Sequence, residues 1–385
     1  MLNFEFCNPV HLVFGKNVVA RLAELLPPEI RIMMLYGGGS IKKNGAYDQT
    51  MAALQERDVI EFGGIEPNPH YETCMRAVDI IRRENVGFLV AVGGGSVIDA
   101  AKFIAVAALF PRSKDPWDIL SATVPPTAAL PLGCILTLPA TGSEMNCNAV
   151  ISRLSSREKL AFGNPLVYPK FAIIDPQFSF TLPERQTANG IVDAMIHVFE
   201  QYLTYPAAAP LQDYMAEGIL KTLIATGPYV MEHPHDYDAR ANVCWCSTMA
   251  LNGLIACGVP QDWATHMLGH ELTALYQLDH ARTLAIVLPA LWRYQRRNKA
   301  EKLLRYGREV WGIEHDQPDE AIEATIAATE KFFHRLKVPT HLADYRINAE
   351  EAATEIRRRF ADRGTVLGEN NDIGADAAYE IIRRC

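Results

Sequence analysis

The sequence lacks most of the features that would set a chain apart from the ordinary globular enzymes. It has no Cys-x-x-Cys pair: its eight cysteines, at 7, 74, 134, 147, 244, 246, 257 and 385, are scattered. That excludes the common thiolate zinc frameworks and suits reduced core thiols. No apolar run reaches the length of a membrane crossing, and residues 1–9 carry no basic region leading into an apolar stretch. A cytoplasmic protein is expected. Positive charge is also short. Against 37 Lys and Arg stand 45 Asp and Glu, a net charge of -8, so there is no electrostatic footprint for nucleic acid or an anionic membrane. There is no internal repeat, no low-complexity linker and no Gly-x-Gly-x-x-Gly dinucleotide fingerprint.

What is present is a globular composition, 49% apolar and 21% charged over 385 residues, long enough for two domains. Up to about residue 180, short apolar runs alternate with helical periods. Strands are expected at 31–36, 88–92, 133–138 and 171–175, and helices at 49–57, 71–84 and 96–109. Buried strands alternating with helices imply a largely parallel sheet. After Leu182-Pro183 the pattern becomes helical throughout, with helices expected at 185–202, 211–224, 239–257 and 262–276. The expected organisation is a Rossmann-like α/β domain over 1–181 and an all-α domain over 182–385.

Two Gly-Gly-Gly-Ser runs stand out. Gly93-Gly94-Gly95-Ser96 follows an apolar strand and opens a helix, where backbone N–H groups and the helix dipole receive phosphate and glycines admit it closely. Such turns are also often purely structural. The other run, Gly37-Gly38-Gly39-Ser40, also ends an apolar strand. No carboxylate lies between Tyr36 and Tyr47, and Lys42 and Lys43 follow. An acid there would pair with the 2′-hydroxyl of an adenosine ribose, so its absence favours NADP(H) over NAD(H). Between the halves, Thr137, Thr141 and Ser143 line a Pro/Gly turn whose hydroxyls suit a nicotinamide or phosphate, and equally suit a turn or helix cap.

Asp193 and His197 are four apart in the helical segment 185–202, which puts both on one face, separated by about 6 Å of axial rise. A lone Asp-x-x-x-His often makes only a surface hydrogen bond. Here the neighbours are apolar, and a buried carboxylate needs a partner or a metal. His266, His270 and His280 offer three candidates for the remaining ligands. Carboxylate plus imidazole suits Zn²⁺ or Fe²⁺, and a catalytic site needs one position left open.

Together these motifs resemble the iron-containing, or group III, alcohol dehydrogenases over essentially the whole chain. The likeness rests on Gly93 to Asp99, Pro139-Ala140-Thr141-Gly142-Ser143-Glu144, Asp193 with His197, and Gly269-His270-Glu271 through Asp279-His280. The run Gly37 to Lys43, the run Gly63 to Pro69 and the run Gly258 to His270 resemble the NADPH-dependent aldehyde reductase branch, which includes the butanol dehydrogenases. The resemblance implies a dehydroquinate synthase-like fold, with Asp193, His197, His266 and His280 as metal ligands and His270 near the substrate. It places Gly37, Gly38, Ser40 and Asn68 at the adenosine end. Gly94, Gly95, Ser96 and Asp99 fall at the pyrophosphate and nicotinamide, and Thr137, Asn146, Lys159 and Thr181 complete the cleft. It also implies a homodimer, with the segment 4–14 supplying the amino-terminal strand at the interface, and leaves zinc or iron open.

The activity expected is reduction of an aldehyde to a primary alcohol with NADPH, with His270 relaying a proton through water or only orienting the site. A glycerol-type NAD-dependent polyol dehydrogenase shares the implied fold. A dehydroquinate-synthase-like lyase would need several basic residues for a substrate phosphate, and the region 258–280 supplies only Arg282 at its edge. A nucleotide-binding sensor with a structural metal would fill all four ligand positions and consume no NADPH.

Overall fold

The computed structural model describes residues 1–121 and 124–385. The strands are β1 (His11–Phe14), β2 (Ile32–Tyr36), β3 (Val59–Phe62), β4 (Phe88–Gly94), β5 (Leu132–Leu138), β6 (Asn148–Arg153), β7 (Glu158–Gly163) and β8 (Phe171–Ile174). Among them run helices α1 (Leu22–Leu25), α2 (Ala46–Ala53), α3 (Tyr71–Glu84) and α4 (Gly95–Leu109). The rest of the chain is helical: α5 (Glu184–Tyr202), α6 (Pro210–Glu232), α7 (Tyr237–Ala250), α8 (Ala264–Tyr276), α9 (His280–Tyr294), α10 (Ala300–Tyr306), α11 (Pro318–Arg335), α12 (Ala349–Arg363) and α13 (Ala375–Ile382). The expected order, a parallel α/β region followed by helices, is the one the chain adopts.

Two compact units form. The α/β unit is Cys7–Pro183 with His233–Thr248, and the helical unit is Met1–Phe6, Glu184–Glu232 and Met249–Cys385. A single cut at 181/182 therefore differs in two places: most of α7 folds with the sheet, and the first six residues fold with the helices.

In the α/β unit six strands pair in the order β1-β8-β5-β4-β2-β3, every pair parallel. Alternate residues of each strand enter two separate cores. Met33, Leu35, Leu89, Ala91, Cys134 and Leu136 pack with α3 and α4 on one face. Ile32, Met34, Phe88, Val90, Ile135 and Phe171 pack with Leu22, Ile41 and Ala46 on the other. Both faces being covered is why the strands read as continuous apolar runs. Gly133 makes room for a ring, since a Cβ there would sit 2.2 Å from Cζ of Phe171, which stacks on Phe88 at 5.9 Å.

The periodicity leaves out β3 and the antiparallel β6–β7 hairpin. Both are only partly buried, so their alternation is broken by polar residues such as Glu61 and Lys159. The helix expected at 239–257 ends at Ala250. There Asn252 Oδ1 accepts the Leu254 N–H at 3.0 Å, and Gly253 takes a φ of +91°, which an α-helix does not contain. All eight cysteines are free, six of them buried. Among the described residues no helix is long and apolar enough to cross a membrane.

Candidate functional site

The carboxyl ends of β2, β4 and β5, three neighbouring parallel strands, carry the three loops that the sequence singles out. Ligands of open α/β sheets bind at such strand ends. Gly37 O accepts the Gly64 N–H at 3.0 Å, and Gly39 has a φ of +94° ahead of the short 3-10 turn Ser40–Lys42. At Gly38 and Gly39 a Cβ would meet nothing within 4 Å, so the run lies open. Gly94 caps α4, and a Cβ on it would press on Leu138 at 2.9 Å. On Gly95 it would stand 2.5 Å from Thr141 Oγ1, so α4 and the turn after β5 approach at van der Waals distance only because that position lacks a side chain. Ser96 is half-buried in the first turn of α4.

A polar network lies behind this turn. Asp99 accepts from Ser143 Oγ at 2.6 Å and from the Val150 N–H at 3.0 Å. Lys102, fully buried one turn further along α4, donates to Ser143 Oγ (2.8 Å), Asn146 Oδ1 (2.9 Å) and Asn148 O (2.7 Å). Its three donors thus meet three acceptors. Burial lowers the Lys102 ammonium to about 8, with Asp99 opposing. Burial also raises the Asp99 carboxyl, opposed by Lys102 and the Ser143 hydroxyl. Thr141 Oγ1 accepts the Ser143 N–H at 3.1 Å and Asn146 donates to Gly142 O at 2.9 Å, which shapes the turn. Glu144 accepts from Thr248 of α7 at 2.6 Å, and burial raises its carboxyl. Thr137 is buried at the end of β5, and Lys159 on β7 donates to Asn68 Oδ1 at 2.8 Å. Thr181 is exposed beyond the turn Pro176–Ser179.

The loop at 37–40 has company that linear reading does not give. Glu61 of β3 accepts from the hydroxyls of Tyr36 (3.2 Å) and Tyr47 (3.0 Å), and Lys42 Nζ stands 4.7 Å from the Tyr47 ring centre and 5.5 Å from that of Tyr36. An acid is therefore near the loop in space, engaged by two phenols.

In the helical unit, α5 carries Asp193 and His197, α8 carries His266 and His270, and α9 begins at His280. Asp193, His197, His266 and His270 are each under 7% exposed. Ligand atoms of Asp193, His266 and His280 all lie within 4.8 Å of one another. His197 Nε2 is 3.9 Å and His280 Nε2 is 3.8 Å from Asp193 Oδ1. The His197 ring stacks on His266 at 4.7 Å, and the His270 ring centre lies 5.2 Å from that of His280 and 6.4 Å from that of His266.

The start of α9 is tied to α5. Asp279 accepts from Arg185 Nε at 2.7 Å and from Asn189 at 2.9 Å. Burial would raise the Asp279 carboxyl, but those two hydrogen bonds hold it below its ordinary range. Gly269 lets α8 approach α9, because a Cβ there would meet Leu284 at 2.7 Å and Thr283 Oγ1 at 3.1 Å. Four donors on Zn²⁺ or Fe²⁺ at ordinary bond lengths stand about 3.4 Å apart. The separations among Asp193, His266 and His280 are a few tenths of an ångström to somewhat over 1 Å longer, and one carboxylate with imidazoles is a set such an ion accepts, so these three fit one cation, with His197 3.9 Å from Asp193 beside them.

Residues 9–176 match the family of iron-containing alcohol dehydrogenases, and residues 187–377 match the C-terminal region described for the Fe-containing alcohol dehydrogenase family. The chain belongs to the iron-containing alcohol dehydrogenase family. Among its relatives, the NADPH-dependent aldehyde reductase YqhD of Escherichia coli (strain K12) is 54% identical over 382 residues, 99% of each chain. A probable NADH-dependent butanol dehydrogenase of Bacillus subtilis (strain 168) is 42% identical over 100% of this chain and 99% of its own. The crystal structure of E. coli K-12 YqhD aligns with a TM-score of 0.98 at 53% identity, covering 100% of this chain and 99% of that one. Several residues of this member of the family escape a linear reading. Lys102 has a local signal, a lone cation in a helix that is apolar from Ala100 to Leu109 but for it. Glu61 and Asp279 have none, because their partners are distant in sequence.

Proposed function

We propose that this chain is a metal-dependent oxidoreductase that reduces aldehydes to primary alcohols with NADPH, reversibly. The observation that carries the reading is the group of Asp193, His266 and His280, the first two buried and the third half-buried, ligand atoms mutually within 4.8 Å, in a chain of the iron-containing alcohol dehydrogenase family. His197 would complete the set. When bound, the dinucleotide supplies hydride and the cation draws charge toward the carbonyl oxygen. The chain's own residues do the rest. The open backbone at Gly37 to Ser40 and the N-terminus of α4 receive phosphate, with Asn68, Lys159, Thr137, Asn146 and Thr181 as further contacts. His270, beside His280 but outside the ligand set, moves a proton at its ring nitrogen toward the nascent alkoxide.

Relatives differ in the nicotinamide their names give, NADPH for the 54% relative and NADH for the 42% one, so the adenosine end must decide. There the loop itself has no acid, and Glu61 is occupied by two tyrosines. That leaves Lys42 and Lys43, both exposed, without a carboxylate of the loop to oppose a 2′-phosphate. The same reading takes 1–181 as the dinucleotide-binding domain and 182–385 as the metal and substrate domain, a cytoplasmic location and a homodimer. For the homodimer, β1 is an edge strand, and Phe14 beside Trp245 is an exposed aromatic pair 6.2 Å apart.

The test is the fall in nicotinamide absorbance with a panel of short and medium aldehydes, protein loaded with zinc or iron, NADPH and NADH side by side. Consumption of NADPH, faster than NADH, is expected. Reduction of NAD⁺ by polyols, with little NADPH consumed by any aldehyde, would give the place to the polyol dehydrogenase. No consumption of either nucleotide with any aldehyde would overturn the reading in favour of a sensor.

A further inference from the structure

One carboxylate oxygen, that of Glu200, lies against both the backbone and the ring of His266. Glu200 lies on α5 three residues beyond His197, and its Oε1 accepts the His266 backbone N–H at 3.2 Å while standing 3.6 Å from His266 Nδ1. The second contact is a few tenths of an ångström beyond a hydrogen bond. A ring whose Nδ1 faces a carboxylate keeps Nε2 for a metal, and a ring nitrogen of His266 lies within 4.8 Å of the ligand atoms of Asp193 and His280. At 4% exposure the Glu200 side chain is shielded from water.

Glu200 is itself held. The Asp262 N–H donates to Glu200 O at 2.8 Å, and Asp262 Oδ1 takes the Ala264 N–H at the start of α8 at 2.9 Å. Asp262 Oδ2 is 2.7 Å from Lys299 Nζ, which also binds Leu203 O (2.7 Å) and Glu369 Oε2 (2.8 Å). Side chains of Lys299 and Glu369 are each 3% exposed. A buried chain of polar contacts therefore runs from the Glu369 region to the turn that launches His266. A glutamine would accept the same backbone N–H with far less desolvation than a carboxylate. The acid gains over the amide only opposite positive charge.

We propose that Glu200 is a positioning residue of the metal centre. It fixes the His266 ring and strengthens it as a ligand, and Lys299, through Asp262, steadies the turn that launches His266. The inference rests on the metal reading above. Partners of this kind behind a ligating imidazole are typically worth about 10- to 100-fold in metal affinity.

The experiment uses the full chain as wild type, Glu200→Gln, Glu200→Leu and Asp193→Ala, stripped of metal and titrated with Zn²⁺ against a chromophoric chelator, with melting of the metal-free proteins alongside. Glu200→Leu should bind zinc roughly 10- to 100-fold more weakly, and Glu200→Gln several-fold more weakly, with the metal-free melting temperature of Glu200→Gln near that of wild type. Cobalt-loaded Glu200→Gln should also show a shifted visible spectrum. Zinc affinity of Glu200→Gln within two-fold of wild type, with an unchanged cobalt spectrum, would overturn the proposal whether or not Glu200→Leu folds. In that case zinc binding by wild type but not by Asp193→Ala leaves the metal reading standing. Equal zinc binding by wild type and Asp193→Ala sinks both.

Discussion

Replacing Lys102 by methionine tests the network behind the turn after β5 most directly. The side chains are of similar length, so the change removes the ammonium and little volume. Three acceptors lose their donor: Ser143 Oγ, Asn146 Oδ1 and Asn148 O. Ser143 keeps its bond to Asp99 and Asn146 keeps the Asn148 N–H at 3.0 Å, so the Asn148 carbonyl is the most exposed to loss. Asp99, already raised by burial, would be raised further on losing its opposite charge. The expected destabilisation is about 3 kcal/mol, the low end for breaking a buried pair, or a melting decrease of roughly 4 °C for a chain of 385 residues. The pH dependence carries a sign. Lys102 falls from its ordinary 10.5 to about 8 on folding, so between those values the unfolded chain binds the extra proton. The wild type thus bears the full penalty below about pH 8 and sheds it as pH rises toward 10.5, whereas the variant has none to shed. Its deficit relative to wild type should therefore widen by about 2 kcal/mol between roughly pH 7 and 9.5. Urea unfolding of both proteins at the two pH values measures this, and NADPH titration should show weaker binding by the variant with zinc affinity unchanged. A deficit under about 1 kcal/mol that stays flat with pH would refute the reasoning.

Asp193→Ala is expected to lose both bound metal and NADPH-linked turnover, and metal analysis at full occupancy would contradict the ligand assignment. His270→Ala should keep its metal and lose turnover by roughly 10²-fold or more if the imidazole relays a proton; loss of metal from that variant would make it a supporting group instead. Gly95→Ala sets a Cβ 2.5 Å from Thr141 Oγ1, so Thr141 or α4 must move at about 1–3 kcal/mol. Its Michaelis constant for NADPH should rise more than its kcat falls, and wild-type kinetics would show that the close approach is irrelevant to the cofactor.

Local pattern makes much of this molecule legible. Strands buried on both faces and helices of period 3.6 write their nature into a few consecutive residues, which is why β2, β4, β5, β8 and α3 to α5 stand close to where periodicity puts them. The half-exposed β3 and the β6–β7 hairpin leave no such record, and α7 ends at a turn chosen by Asn252 and Gly253 rather than by period. In the site, the four-residue spacing of Asp193 and His197 fixes their shared face from sequence, because a helix has one geometry. Spacing alone leaves His266, His270 and His280 equivalent as candidates. Tertiary structure sets His266 and His280 beside Asp193, through Asp279 tied to Arg185 and Asn189 and through the close approach at Gly269. It alone brings Glu61 to Tyr36 and Tyr47, Lys102 to Ser143 and Asn146, and Glu200 to His266. The sequence by itself determined the alternation, the glycine loops and the kinds of donor available. Which donors share a point in space was decided only by packing, since the chain between them, about 70 residues from Asp193 to His266, imposes no distance until helices and sheet have found their faces.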